Sequence, residues 1–164
     1  MSYATLMVNL VLGQPNADVL QFAGNLAQRL DAHVIGIAVS RPLPLMTGDG
    51  YADAGIYEEI LNELAVEVSQ AEAEFRGAMQ GSVKSIEWRS TTSIGALPDF
   101  LADEARSADL LIKSTVSGDR LDTTRAVSTG DLLMRLARSL LLVPPGMPTP
   151  RLDRMLVAWK DTRE

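Results

Sequence analysis

A polar loop between two short apolar segments contains most of the residues in this chain that could bind a charged ligand. The loop spans residues 114–128, is rich in serine and threonine, and joins a predicted strand at residues 110–113 to a predicted helix at residues 131–137. In such a loop, unpaired backbone N–H groups and the helix dipole both favour negative charge. The pattern therefore favours a phosphate-binding site.

Two interpretations of this loop are open from its residues. In the first, serine hydroxyls donate hydrogen bonds to a phosphate and an arginine supplies positive charge. The side chains concerned are Ser114, Ser117, Ser128, Arg120 and Arg125. In the second, the serines cap the helix and the turns, which is the more common role of Ser in loops. Carboxylates in or beside the loop would repel an anion and favour this second interpretation. They are Asp119, Asp122 and Asp131.

Other residues capable of chemistry have simpler interpretations. Lys113 ends a predicted strand and is expected to reach solvent, although it could face the crevice. His33 is the single histidine, so neither metal binding nor catalysis is predicted for it, and no metal site is expected. Glutamates of one predicted helix are expected to form a solvated face. They are Glu58, Glu59, Glu63, Glu67, Glu72 and Glu74. Since no phosphate-loop lysine, serine-hydrolase or zinc-protease motif occurs, we predict that the protein is not an enzyme.

The elements that would position the loop follow from apolar periodicity. Nearly continuous apolar runs predict strands buried on both faces at residues 5–12, 33–39, 110–113 and 140–143, and alternation at 83–89 predicts a half-exposed edge strand. Helices are predicted at residues 17–30 with Asn16 as N-cap, at 53–79, at 94–105 with the regular part beginning near Pro98, and at 131–137. In the last helix, Leu132, Leu133 and Leu136 are expected to point inward. Alternating strands and helices predict a doubly wound α/β fold with a parallel sheet.

Composition narrows the classes of partner. The chain has 164 residues, which predicts a single domain, and a net charge of −6 with scattered basic residues, which argues against nucleic acid. The absence of cysteine fits a reducing compartment, and the cytoplasm is the expected location. No apolar run approaches the roughly 20 residues of a membrane helix, so no membrane partner is expected.

The last residues resemble the start of the chain in their run of apolar residues. Residues 155–159 read Met-Leu-Val-Ala-Trp, similar to the apolar run at residues 6–10. We therefore divide the chain into a domain at residues 1–146 and a segment at 147–164, a Pro-rich linker followed by the first strand of a second copy. The alternative interpretation is a final strand at the edge of one sheet with a frayed end.

Several segments, in this order, resemble the universal stress protein family. They are Val-Ile-Gly-Ile-Ala at residues 34–38, Ala-Arg-Ser-Ala-Asp-Leu-Leu-Ile at 105–112 and Leu-Leu-Leu-Val-Pro at 140–144. The resemblance implies a Rossmann-like, adenine nucleotide alpha hydrolase-like fold of five parallel strands in the order 3-2-1-4-5. Residues 83–89 would then lie at an edge. Residues 157–164 resemble the opening of a second such domain, as in tandem members of the family.

The resemblance also implies where a nucleotide would bind. ATP-binding members carry Gly-x-x-Gly, nine residues, and Gly followed by Ser or Thr, with an Asp at the end of the first strand. In this chain the glycine positions fall on Ser114, Ser117 and Val127, the hydroxyl position falls on Ser128, and the Asp position falls on Val11. A Cβ hinders both positive φ and close approach of the backbone to phosphate. The resemblance thus implies a degenerate nucleotide site.

Two functions follow as expectations. The first is a stress-response domain that acts by dimerisation or by pairing with a second universal stress protein domain, with no cofactor. The second is a binding module for an adenine nucleotide, ATP or AMP, or another small anion, held in the crevice between Gly13 and Ser128.

Overall fold

A parallel sheet with helices on both faces forms the part of the chain that the computed structural model describes, residues 3–42, 54–115, 124–147 and 156. In chain order the elements are β1 (Thr5–Leu10), α1 (Ala17–Leu30), β2 (His33–Ser40), α2 (Ala54–Met79), β3 (Ser85–Thr92), α3 (Leu97–Glu104), a 3₁₀ turn (Ala105–Ser107), β4 (Leu110–Ser114), α4 (Thr129–Leu133) and β5 (Ser139–Val143).

The sheet has the predicted topology. Its strands run parallel in the order β3-β2-β1-β4-β5, which confirms the α/β fold and the position of the alternating segment at an edge. Helix α1 has the predicted bounds, and Pro98 lies in the first turn of α3 as expected, because proline lacks the N–H that a helix interior needs. None of the helices in the described ranges has the length and apolar character required to cross a bilayer.

Some boundaries differ from prediction. Strand β1 ends at Leu10, two residues early, and β3 covers residues 85–92 instead of 83–89, because it pairs with β2 along the full length of β2. Helix α4 has only five residues, and Leu133 is 55% exposed, so its inward assignment was wrong. Leu132 is fully buried and Leu136 packs against the same core, as predicted.

Alternation along the strands divides the core into two layers. Leu6, Val8 and Leu10 of β1 pack on one face with residues of α1 and α2. Met7, on the opposite face, packs with residues of α3 and α4. Because both faces of β1 are covered, its run of apolar residues is nearly continuous. The candidate loops follow the carboxyl ends of these strands, so they start from positions that the packed core holds in place.

Gly36 is expected to be irreplaceable at the centre of β2. A Cβ on this residue would lie 2.8 Å from ring atoms of both Phe75 and Trp88, whose rings contact each other at a centroid distance of 5.6 Å. Two packed rings cannot both move away without disturbing α2 or β3. We expect Gly36→Ala to lower the free energy of unfolding by about 1–3 kcal/mol, measured by urea denaturation.

Gly77 supplies the matched control. It lies in α2, and apart from its chain neighbours and the backbone of the helix itself, no heavy atom lies within 4 Å of the place that a Cβ on this residue would occupy. Gly77→Ala should therefore raise stability by about 0.5–1 kcal/mol through helix propensity. Equal effects of the two substitutions would contradict the packing described for Gly36.

Candidate functional site

The crevice lies at the carboxyl edge of the sheet, where strand order reverses between β1 and β4. Ligands of doubly wound folds bind at this switch point. Val11, Gly13 and Asn16 reach it from the loop after β1, and Ser114 ends β4. Val127 and Ser128 precede α4 on its other side. Residues 116–123 of the predicted loop, which include Ser117, Asp119, Arg120 and Asp122, lie outside the described residues.

Asn16 holds the loop after β1 in place from within. It occupies the N-cap position of α1, as predicted, but its side chain caps no helical N–H. Its Oδ1 accepts a hydrogen bond from Val11 N at 2.9 Å, and its Nδ2 donates to the carbonyls of Val11 and Gln14 at 3.2 and 2.9 Å. The Glu74 carboxylate accepts two further bonds, from Asn16 N at 3.0 Å and Nδ2 at 3.2 Å. The loop is thus bound to itself and to α2.

Val11 and Gly13 offer little to an anionic ligand. Val11 is buried at the position where the family motif has an aspartate, and its N–H is already paired with Asn16. Gly13 has φ +67°, a conformation that glycine adopts without strain. The Glu67 carboxylate approaches it, with Oε1 3.5 Å from where a Cβ would lie. A negative charge therefore already stands beside the one glycine of this loop.

The second half of the predicted loop packs into the protein. Val127 is 2% exposed and belongs to the core layer beneath α3 and α4. Ser128 is the N-cap of α4, and its Oγ accepts a long 3.4 Å hydrogen bond from Asp131 N. This is the capping role that the sequence left open. Because α4 spans five residues, its dipole adds little to an anion site.

Two glutamates predicted to be solvated point into the crevice instead, and that prediction was wrong for them. Glu67 forms a two-pronged ion pair with Arg125, with Nε–Oε2 and Nη2–Oε1 distances of 2.6 and 3.0 Å. Glu74 accepts the two hydrogen bonds from Asn16. Their partners lie 58 residues away in sequence in both cases. No helical periodicity could therefore have indicated these contacts.

Lys113 was expected to reach solvent, and this too was wrong. Its side chain is 1% exposed on the face covered by α3 and α4, beside its register partner Asn9 of β1. Within the described residues its ammonium makes one long hydrogen bond, at 3.4 Å to the carbonyl of Ser114. Burial lowers the pKa of Lys113 because the charged form loses its hydration. The lysine lies under the crevice and not in it.

His33 lies far from this edge, at the amino end of β2. It is half-buried and its Nδ1 forms a 2.7 Å hydrogen bond with Ser85 Oγ on β3. Nearby, a hydrogen bond from Arg89 lowers the pKa of the Glu87 carboxyl. Across the described residues, no three His, Asp or Glu side chains are grouped to hold a metal ion.

Two cavities at this edge are small. One of about 120 Å³ is lined by Val11, Asn16, Ser114 and Pro145, and another of about 200 Å³ lies between Gly13 and the Glu67 and Glu74 side chains. Pockets for small molecules usually measure roughly 300–1,000 Å³. Both of these cavities, which described residues line, are below that range.

Comparison with known proteins identifies the fold. No protein-family model matches the sequence, and no curated protein matches it significantly. Among solved structures, universal stress protein UspA from Lactobacillus plantarum is 16% identical, with 87% of this chain and 99% of that protein covered and a TM-score of 0.66.

Two further structures were solved with nucleotides. The universal stress protein from Archaeoglobus fulgidus in complex with dAMP is 19% identical, with 87% and 98% covered and a TM-score of 0.54. A universal stress protein family protein from Arabidopsis thaliana with AMP bound is 10% identical, with 86% and 91% covered and a TM-score of 0.51. At these identities the chain shares the universal stress protein fold with them, and the likeness extends to the fold alone.

Proposed function

We propose that this chain is a universal stress protein domain that acts in a stress response without catalysis, by pairing with a second domain of the same kind. Its own nucleotide site is degenerate in this proposal. The observation that carries it is the Glu67–Arg125 ion pair beside Gly13, which fills the crevice with side chains of the protein itself.

The chemistry of the remaining crevice supports this proposal. The three motif glycine positions hold Ser114, Ser117 and Val127, and the last of these is packed in the core. The Ser128 hydroxyl, the one motif position that matches, is engaged in capping α4. A side chain with a Cβ thus stands at each glycine position of the motif and hinders close approach of the backbone to a phosphate. The hydroxyl that could donate to the phosphate already caps α4.

The two edges of the sheet differ in a way that supports pairing. Strand β3 alternates polar and apolar residues, whereas β5 reads Ser-Leu-Leu-Leu-Val, and Leu142 is 38% exposed. An apolar edge strand offers unpaired backbone groups and apolar surface to another chain. We assign β5 and its flanks as the pairing surface, either to another copy or to a second domain.

A second candidate function is a module that binds AMP, ATP or another small anion. The observation that favours it is that similarly folded proteins were solved with dAMP, cAMP and AMP. In this function Ser114 and Arg125 would contact the phosphate of the bound molecule. It ranks second because a phosphate would have to displace Glu67 from Arg125.

A thermal-shift panel separates the two functions. A nucleotide at one hundred times its dissociation constant should stabilise a binding protein by roughly 2.7 kcal/mol. We expect no change in melting temperature with AMP, ADP or ATP, and a clear rise with any of them would favour the binding module.

In sedimentation experiments we expect a dimer, and a monomer at all concentrations would contradict pairing between copies.

The compartment and the chain's organisation are further parts of the proposal. We place the protein in the cytoplasm, consistent with its lack of cysteine.

We assign residues 147–164 to a linker and the first strand of a second copy, although residues 148–155 and 157–164 lie outside the described ranges. A reading frame that continues past Glu164 with a similar domain would support this, and a stop codon there would contradict it.

A further inference from the structure

A serine, a histidine and a glutamate lie side by side at the amino ends of β2 and β3. Ser85 and His33 are register partners, so their side chains share one face of the sheet, and the period of two along a strand places Glu87 on that face as well. Ser85 is exposed, and its Oγ lies 2.7 Å from His33 Nδ1. The other ring nitrogen, Nε2, lies 3.6 Å from Glu87 Oε2. The imidazole thus stands between a hydroxyl and a carboxylate.

Arg89 holds the Glu87 carboxylate in place. Its Nε donates to Glu87 Oε1 at 2.7 Å, and its Nη1 donates to Glu104 Oε2 and to Ser107 Oγ, both at 2.8 Å. The hydrogen bond from Arg89 lowers the pKa of Glu87, so this carboxyl is ionised at neutral pH. Because Oε1 is engaged by Arg89, Oε2 is the oxygen that faces the imidazole.

The charge of Glu87 decides which nitrogen of His33 can act as a base. A carboxylate beside Nε2 favours the tautomer that carries its proton on Nε2. Nδ1 is then unprotonated and accepts the hydrogen bond from the Ser85 hydroxyl. A hydroxyl bonded to an imidazole that a third group orients is the arrangement that activates a serine for attack on a carbonyl. In the common serine triad the two ring nitrogens have the opposite roles, but either of them can take the proton.

We propose that Ser85 is a nucleophilic serine that takes an acyl group from an activated ester, with His33 as its base and Glu87 as the residue that positions this base. The Oγ attacks the carbonyl carbon of the ester and forms a bond with it, while the Oγ–H proton passes to His33 Nδ1. The bond from that carbon to the alcohol oxygen then breaks, and the leaving alcohol takes the proton from His33. The products are an acyl ester of Ser85 and a free alcohol.

The location suits a reaction with a free small molecule. Ser85 is exposed and begins β3, an edge strand, and no strand of the described ranges covers the outer side of β3. An edge strand leaves backbone N–H groups unpaired, and these can donate to the oxygen that gains negative charge during the attack. The site lies at the opposite end of the sheet from the crevice and at the opposite edge from β5. The inference is therefore independent of the proposed pairing and of what the crevice binds.

The test is acetylation of the whole chain by p-nitrophenyl acetate, followed by the release of p-nitrophenolate and by mass spectrometry of the digested protein. We expect a burst of p-nitrophenolate and an acetyl group on the peptide that contains Ser85, and Ser85→Ala should abolish the burst. His33→Asn keeps a polar group near the place of Nδ1 but has no basic nitrogen, and it should slow acetylation of Ser85 by roughly 100-fold. Circular dichroism checks the fold, and His33→Phe is the second variant if His33→Asn does not fold.

Two further variants separate activation from mere exposure. Ser90→Ala removes another exposed serine of β3, whose register partner is Ala38 and not a histidine, and it should leave the rate unchanged. Glu87→Gln removes the charge that favours the reactive tautomer and should slow acetylation of Ser85 by at least about tenfold. Equal rates in the natural chain and in a folded His33 variant, or acetylation of Ser85 no faster than that of Ser90, would overturn the proposal. A burst that survives in Ser85→Ala would also overturn it, because the nucleophile would then be another group.

Discussion

Replacing Lys113 by methionine is expected to raise the free energy of unfolding by about 1–4 kcal/mol at neutral pH. The ammonium is buried under the crevice with one long hydrogen bond among the described residues. Methionine has a similar length and fills the same space without a charge to desolvate. Urea denaturation of both proteins gives the difference directly.

The pH dependence of this gain has a definite sign. Burial lowers the pKa of Lys113 below its ordinary value of 10.5. Below the lowered pKa the natural protein bears the full cost of a buried charge. As pH rises through that pKa towards 10.5, the folded state releases its proton before the unfolded chain does, so the natural protein recovers stability. The advantage of Lys113→Met should therefore be largest below the lowered pKa and shrink as the pH rises through it towards 10.5.

Lys84 provides the control for Lys113. Its side chain is largely exposed and forms a surface ion pair with Asp31 at 2.9 Å. Lys84→Met should change stability by less than about 1 kcal/mol. A destabilised Lys113→Met variant, or equal effects at the two sites, would contradict the burial of an uncompensated charge.

Replacing Asn16 by alanine is expected to lower the free energy of unfolding by about 2–4 kcal/mol. The substitution removes the side-chain bonds to Val11, Gln14 and Glu74 and leaves the buried Val11 N–H without its acceptor. An unsatisfied buried donor carries its full desolvation cost. The measurement is again the midpoint and slope of urea denaturation.

Two comparisons test the reason for this loss. Asn16→Asp keeps an acceptor for Val11 N but loses the amide donors and faces Glu74 with a like charge, so it should also destabilise the protein. Asn62→Ala, at an exposed position of α2, should have an effect within about 0.5 kcal/mol. If Asn16→Ala were as neutral as Asn62→Ala, the loop would not be held by this side chain.

The order of the elements was readable in the sequence because local physics determines it. Buried parallel strands require continuous apolar runs, and helices require a 3.6-residue stripe, and both patterns are present. The alternation around Ile86 and Trp88 correctly predicted an edge strand, as the strand order confirms. The end of α4 was less predictable, since Leu132 and Leu133 are equally apolar but only one of them is buried.

The crevice was predictable in position but not in content. Positional matching indicated that Val11, Ser114 and Val127 replace the residues expected of a nucleotide site. Two side chains that line the crevice were missed, because Glu67 and Glu74 lie on a helix whose exposed face is rich in glutamate. Their interactions depend on tertiary partners distant in sequence, and no local pattern reports these.

Lys113 is another residue whose environment could not be predicted from the sequence. A lysine at the end of a strand usually reaches solvent, and its aliphatic stem makes this easy. In this fold β4 is a central strand, with β1 and β5 on either side, and the layer containing Val127 and Leu132 covers its end. The burial of Lys113 thus follows from topology and could not be read from its neighbours in sequence.

The most direct test of a self-filled crevice is isothermal titration of ATP and AMP into the whole, unmodified chain. With Glu67 paired to Arg125 and Val127 packed in the core, we predict no measurable binding of either nucleotide up to millimolar concentrations, on the order of 1 mM. Saturable binding with a micromolar dissociation constant would contradict the account and identify the crevice as a working nucleotide site.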